Sequence, residues 1–276
     1  DLPGVFLLRS FADGEALRNA ASTAEKAVVV GASFIGTETA AYLSGRGIDV
    51  TVVAPESVPF ERIFGKEVGN RFVKMHTDGG VNFRLGTGVS RITGNGKANG
   101  VELSDGTTLP ADLVVVGVGV EPVTDYIESS GLVTEGAVPV NEKLETSAPG
   151  IYAVGDIARV AGTNEKAKRI EHWVVAQRHG EEVARSIVGK AKGLPYAPFF
   201  WTRQFETSFA YIGYAPDFDE VRIDGDIANG KFLIGYFNDG ALSAVGTMGK
   251  GKSLIRYGLR LDRGEKISPA DFEAGS

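Results

Sequence analysis

Gly31, Ser33 and Gly36 carry the clearest chemical signal in the chain. They follow an apolar, β-branched run, Ala27 to Val30, and precede Thr37 to Ser44, which carries Ala40, Ala41 and Leu43. The spacing is that of a dinucleotide-binding turn with Ser33 where the second glycine is usual. In such a turn Gly31 permits the tight bend and Gly36 permits close packing of helix on strand. The helix N-terminus then offers free N–H groups and the positive end of its dipole to a pyrophosphate. A nucleophile elbow, G-x-S-x-G, is excluded because Ile35 stands where its last glycine must be.

Two further places invite a ligand. The apolar run Ala111 to Val120 includes Gly119 near its end, where the backbone can approach a ligand closely. The short run Ile151 to Val154 closes on Gly155 and Asp156. An aspartate at a strand's C-terminal end is placed to accept hydrogen bonds from a sugar alcohol. It serves equally well as a helix cap, and the residues alone leave both uses open. The chain has no Cys, which removes a redox dithiol, a thiolate metal site and a disulfide framework. His76, His172 and His179 form no metal-ligand spacing.

These residues need elements to hold them. Ala27 to Val30 reads as a buried parallel strand, Thr37 to Ser44 as a helix stopped by Gly45 and Gly47, and Asp49 to Val53 as the next strand. That strand–turn–helix–strand context is what the glycine motif requires. Upstream, Leu2 to Ser10 reads as a turn and a short strand. Phe11 to Thr23 reads as a helix capped by Ser10 or Asp13. Pro59 to Asp78 has helical spacing, ended by Gly79-Gly80, and Val81 to Leu85 is a third strand. Gly94-Asn95-Gly96 and Asp105-Gly106 mark hairpins between Val89 and Leu109, a β-meander beside the parallel sheet. A helix is expected from Pro122 to Ser130, and a strand with its turn from Val138 to Thr146. Beyond Pro198 the pattern becomes antiparallel. Trp201 to Tyr214, Glu220 to Asp224, Lys231 to Phe237 and Ala241 to Met248 read as strands, and Lys250 to Arg263 as an amphipathic helix.

Composition sets the outer limits. A chain of 276 residues should hold about two domains with real cores. Its 43% hydrophobic and 23% charged residues are those of a globular protein. Net charge of −6 argues against a nucleic-acid partner. No apolar run approaches the ~18 residues of a membrane span, and nothing resembles a signal peptide, so the expected location is cytoplasmic. The chain begins at Asp1 in mid-pattern and reads as a fragment.

The segments GASFIGTE, VVVGVGVEP, APGIYAVGDIA, IEHWVVAQRHG and FFWTRQFETSFAYIGY occur in that order. Together they resemble the NADH-dependent ferredoxin reductases of Rieske-type oxygenase systems, within the FAD-dependent pyridine nucleotide oxidoreductases. The subgroup is the one related to apoptosis-inducing-factor-like proteins. The fold this resemblance implies is α/β: a Rossmann-like NAD(P)H-binding domain with a β-meander at residues 1–122. The C-terminal part of an FAD domain would follow at 123–197, and an α+β reductase C-terminal domain at 198–276. The family's own N-terminal FAD motif has no counterpart here, so this chain alone is expected to hold FAD weakly or not at all.

The resemblance also assigns roles. Gly31, Ser33 and Gly36 would cradle the NADH pyrophosphate, with Phe34 and Ile35 near the nicotinamide and Glu38 on its carboxamide. Gly119, Gly155 and Asp156 would meet cofactor, Asp156 at the flavin ribityl chain. Glu171, His172 and Trp173 would open a helix facing the flavin pyrimidine edge, and Trp201 would stack near its ring. Glu38 and Trp173 are the residues expected closest to the chemistry, hydride transfer from NADH to FAD and single-electron transfer to a ferredoxin or Rieske-type protein. The competing readings are plain: His172 as a helix cap, both tryptophans as core, Glu38 as a favourable first-turn charge. A dinucleotide-binding module without turnover is the alternative function.

Coenzyme choice and partner leave weaker marks. The acidic residue expected at the end of the second strand falls near Ala54, which cannot bind a ribose; Glu56 can, if the turn after Pro55 swings inward. No Arg follows directly to take a 2′-phosphate, the nearest being Arg62, so NADH is expected over NADPH. Thr163 to Lys192 carries seven Lys and Arg against four Glu, which reads as a docking patch for an acidic ferredoxin or as an ordinary solvated helix face.

Overall fold

The computed structural model describes residues 2–161, 169–194 and 197–275. Its first layer is a parallel sheet. The chain runs through β1 (Val5–Phe6), α1 (Phe11–Ala20), β2 (Lys26–Val30), α2 (Phe34–Ser44), β3 (Asp49–Ala54), α3 (Glu61–Asp78) and β4 (Val81–Leu85). An antiparallel excursion, β5 (Val89–Gly94), β6 (Ala98–Leu103) and β7 (Thr108–Pro110), precedes β8 (Leu113–Val116). Strand order is β1-β8-β2-β3-β4, all parallel, with β5-β6-β7 as a separate sheet.

The alternation of side chains explains the layering. Ala27 and Val29 of β2 face α1 and α2, packing with Leu17, Ala40 and Leu43. Val28 faces the other way, with Val53 and Val114, onto Val101 and Leu103 of the meander. Both faces of the sheet are covered, which is why β2, β3 and β8 are nearly continuous runs of valine. Helix α1 starts on a reciprocal cap. Ser10 Oγ accepts from Asp13 N at 3.2 Å, and the Asp13 carboxylate accepts from Ser10 N at 2.7 Å.

The chain continues through β9 (Val138–Val140) and β10 (Ala158–Val160), a small parallel pair, to α4 (Trp173–Ile187). The C-terminal layer is a five-stranded antiparallel sheet of order β11-β12-β15-β14-β13. Its strands are β11 (Phe199–Gln204), β12 (Thr207–Gly213), β13 (Glu220–Asp226), β14 (Lys231–Asn238) and β15 (Ala241–Met248). Two helices follow, α5 (Gly251–Asp262) and α6 (Pro269–Gly275), and cover one face through Leu254, Tyr257 and Phe272. The other face carries Phe209, Ile234 and Tyr236 onto Phe64, Val68 and Phe72 of α3. Helix α3 therefore joins the parallel layer to the antiparallel one, and Tyr236 Oη donates to the Phe64 carbonyl at 3.0 Å across that seam.

Four expectations are corrected. Trp201 to Tyr214 is not one strand but the hairpin β11–β12, turning at Phe205 with φ 51°, where no Gly, Asn or Pro announces the bend. The run Ala111 to Val120 is strand only to Val116. Val118 is 71% exposed, so the apolar residues from there on are not core. Ile151 to Val154 forms no strand; Tyr152 makes a single bridge to Glu145, and Gly155–Ile157 is one 3-10 turn. The helix after Pro122 is a 3-10 segment, Asp125–Ser130. Strand β10 and helix α6 are additions, too short for any periodic pattern to announce them.

Candidate dinucleotide-binding site

The turn between β2 and α2 is as tight as its glycines require. Gly31 has φ +104°, and its N–H donates to the Val53 carbonyl at 2.8 Å. A Cβ on Gly31 would lie 2.2 Å from the Gly117 carbonyl oxygen, and one on Gly36 would lie 2.0 Å from the Gly31 oxygen. No side chain fits at either place. The first helical bond closes at Thr37 N to Ser33 O, 2.9 Å, and Ser33 makes no side-chain cap. The N–H groups of Phe34, Ile35 and Gly36 are thus without helical partners, as an anion site requires.

Two clefts meet at this helix end. One of ≈320 Å³ is lined by Gly31, Ser33, Pro55, Glu56, Gly119 and Arg62 among others. The second, of ≈440 Å³, has Phe34, Phe200, Tyr211 and Tyr214 as an aromatic wall, with Glu171 and His172. Ser33, Arg62 and Ile63 line both, so the clefts adjoin at the helix N-terminus. The turn after Pro55 does bring Glu56 into the first cleft, while Ala54 is buried at the end of β3. Beside it Glu61 accepts from Ser57 N and Oγ at 2.9 and 2.8 Å, and the Ser57 hydroxyl bond first of all holds its carboxyl below the usual range.

The remaining expected residues are spread around this centre. Ile35 lines neither cleft and packs beside Gly117. Glu38 is exposed, and its Oε1 accepts from Thr202 Oγ1 of β11 at 2.5 Å. His172 caps α4, its Nδ1 accepting from Val174 N at 3.2 Å, so the capping reading holds as a structural fact. Glu171 pairs with Arg169. Trp173 and Trp201 are not core: they are 61% and 43% exposed, with ring centres 5.6 Å apart and planes at 77°. Gly155 donates its N–H to His179 Nδ1 at 3.2 Å, which ties the Gly155–Asp156 turn to α4; Asp156 is exposed. Phe200, Tyr211 and Tyr214 are site residues that sequence reasoning does not find, because only the docking of the C-terminal sheet brings them here, while Arg62 lines both clefts.

Of the basic segment, Lys166 and Lys168 lie outside the described residues. Arg178 pairs with Glu181 at 3.1 Å, and Arg185 reaches the buried Glu182 at 3.5 Å. Among the described residues no cluster of His, Asp or Glu could hold a metal ion, and no helix is long and apolar enough to cross a membrane.

All three histidines titrate below the ordinary value of 6.5 because burial penalises their charged forms. The Gln204 bond at His76 and the Asp156 charge near His172 offset this in part. The unfolded chain therefore binds these protons more readily than the folded one. Stability is complete above 6.5 and falls as pH drops through 6.5 towards the lowered folded values. Melting temperature should decline steadily between about pH 7 and pH 5, above the range where most carboxylates titrate. A flat profile over that interval would contradict the buried neutral state of these rings.

Comparison with known proteins agrees with this architecture. The pyridine nucleotide-disulphide oxidoreductase model matches residues 1–180, and the reductase C-terminal model matches residues 199–274. Apoptosis-inducing factor 3 of Mus musculus is 34% identical over 278 residues, covering 99% of this chain and 46% of its own length. The 5,5'-dehydrodivanillate O-demethylase ferredoxin reductase subunit of Sphingobium sp. is 32% identical, covering 97% of this chain and 67% of its own. The solved covalent complex of putidaredoxin reductase with putidaredoxin superposes with TM-score 0.92 at 28% identity, covering 97% of this chain and 65% of that one. The chain thus spans about half the length of the apoptosis-inducing factor 3 it matches.

Proposed function

The chain belongs to the pyridine nucleotide-disulphide oxidoreductase family, and on that premise we propose that it holds NADH across the two adjoining clefts. It is the pyridine-nucleotide part of a flavoprotein that passes electrons from NADH through FAD to a ferredoxin or Rieske-type iron–sulfur protein. The observation that carries this reading is the pair of clefts sharing Ser33 at an uncapped helix end, where Gly31 and Gly36 admit no Cβ. The disulphide chemistry in the family's name has no residues here, since the chain lacks Cys.

In this reading the pyrophosphate lies on the α2 N-terminus, held by the unpartnered N–H groups and the helix dipole. The adenosine half fills the cleft beside Glu56 and Gly119, where the Glu56 carboxylate accepts from ribose hydroxyls and repels a 2′-phosphate. The nicotinamide half enters the aromatic cleft beside Phe34, its carboxamide facing Glu38. The residues fit a flavin ring more openly. Trp173 and Trp201 present exposed faces, and the α4 N-terminus behind His172 favours negative charge at the ring's edge. Gly155 and Asp156 stand for the ribityl chain. FAD, when bound, accepts a hydride and releases single electrons; the side chains here position and tune, and none acts as nucleophile or base.

Among the described residues no second glycine cradle exists for the FAD pyrophosphate. Residues 1–276 incubated with excess FAD should therefore leave gel filtration without flavin absorbance. Stoichiometric flavin retained through the column, and bleached by NADH, would show that these residues suffice for both cofactors. The relatives named as ferredoxin reductases and the complex with putidaredoxin support an iron–sulfur acceptor.

A further inference from the structure

Glu38 lines neither cleft, and its carboxylate is held by Thr202 of the C-terminal sheet. Behind it lies a chain of buried polar groups: Thr37 and His76 fully buried, Thr202 and Gln204 each 2% exposed. His76 Nε2 lies 2.6 Å from Gln204 Oε1. Gln204 Nε2 donates to Thr202 Oγ1 at 3.0 Å and to Thr37 Oγ1 at 2.8 Å. Thr202 Oγ1 donates to Glu38 Oε1 at 2.5 Å, and Thr37 Oγ1 donates to the Ser33 carbonyl at 2.9 Å.

The orientation of the Gln204 amide sets the direction of these bonds. The Gln204 carbonyl oxygen can only accept, so His76 Nε2 carries the proton and Nδ1 is bare; Nδ1 has no partner among the described residues. The Gln204 amide spends both its hydrogens on the two threonines. Each threonine hydroxyl is thereby left to donate outward, one to Glu38 and one to Ser33. In a low-dielectric seam such aligned bonds reinforce one another, and a missing member strands a buried group.

We propose that Thr202 and Gln204 of the C-terminal sheet are positioning residues of the nucleotide site, fixing the Glu38 carboxylate through this chain. The inference rests on the dinucleotide reading of the clefts. It makes the C-terminal sheet part of the coenzyme site, acting on the nicotinamide half through Glu38, while the adenosine half depends on β3 and the turn after it.

The test compares NADH with ADP-ribose, which lacks the nicotinamide, by calorimetry on the whole 276-residue chain. Thr202→Val should weaken NADH binding about tenfold and leave ADP-ribose unchanged, since one charge-assisted hydrogen bond sets the difference. Thr202→Ser should restore NADH affinity. Glu38→Gln should show the same selective loss, and Thr202→Val added to it should cost little more. A readout without substitution is the Gln204 side-chain amide resonance, expected to shift with NADH and not with ADP-ribose. Unchanged NADH affinity in Thr202→Val, or equal losses for both ligands, overturns the positioning role while leaving the clefts as the binding site. Failure of the unaltered chain to bind ADP-ribose overturns the cleft reading and this inference with it.

Discussion

Gly36→Val is expected to lose at least about 100-fold in NADH affinity, because a displacement of roughly 1 Å at a binding element costs that much. The Cβ alone would lie 2.0 Å from the Gly31 carbonyl oxygen, and valine adds two methyls to it. The strand side cannot yield. Gly31 is tied to Val53 at 2.8 Å, and Gly117 is tied to Val30 at 2.8 Å. Helix α2 must therefore move, and with it the N–H groups proposed to meet the pyrophosphate. Ser33→Gly removes an exposed side chain that makes no cap, and should leave affinity unchanged. Gly14 is the control: a Cβ there meets nothing within 4 Å, so Gly14→Ala should keep binding intact. Calorimetry on the three variants decides the matter, and wild-type affinity in Gly36→Val would remove the turn from the site.

Phe64→Ala is expected to cost about 3–5 kcal/mol of stability, the range for a fully buried phenylalanine. Phe64 is wholly buried where α3 meets the C-terminal sheet. Its ring centre is 4.6 Å from Phe209, 5.3 Å from Phe60 and 5.5 Å from Tyr211. Phe34 and Phe200, both in the aromatic cleft, lie 6.0 Å away, so the cavity would open directly behind the proposed nicotinamide wall. Urea unfolding should report the loss, with NADH binding weakened alongside it. Phe11→Ala, at a residue 84% exposed, should be near neutral. A Phe64→Ala protein within about 1 kcal/mol of the wild type would mean that the two layers are not joined through this ring.

The parallel layer is legible in the sequence because its signals are local. Valine runs bounded by Gly31 and Gly117, and a Ser10–Asp13 cap, depend on residues a few positions apart. The antiparallel layer announces itself through turn pairs such as Asn229-Gly230 and Asp239-Gly240, which punctuate its strands. What the sequence hides is long-range. Phe205 turns the β11–β12 hairpin in the left-handed region without any glycine, held by packing on His76 at 5.2 Å between ring centres. The apolar Ile151 to Val154 has the composition of a strand, yet among the described residues it pairs only through the Glu145–Tyr152 bridge. Gly31, Ser33, Glu56 and Gly119 meet in one cleft, the last two brought there by the turn after β3 and the end of β8. Phe200 and Tyr211 enter only through the docking of α3 against strands far along the chain, which no local pattern records.

These 276 residues are proposed to bind NADH across both clefts. Calorimetric titration of the purified chain with NADH, and separately with NADPH, tests this proposal most directly. Saturable one-to-one binding of NADH is expected, with markedly weaker binding of NADPH, whose 2′-phosphate meets Glu56. Absence of binding by either nucleotide would contradict the proposal, and tighter binding of NADPH would contradict the role given to Glu56.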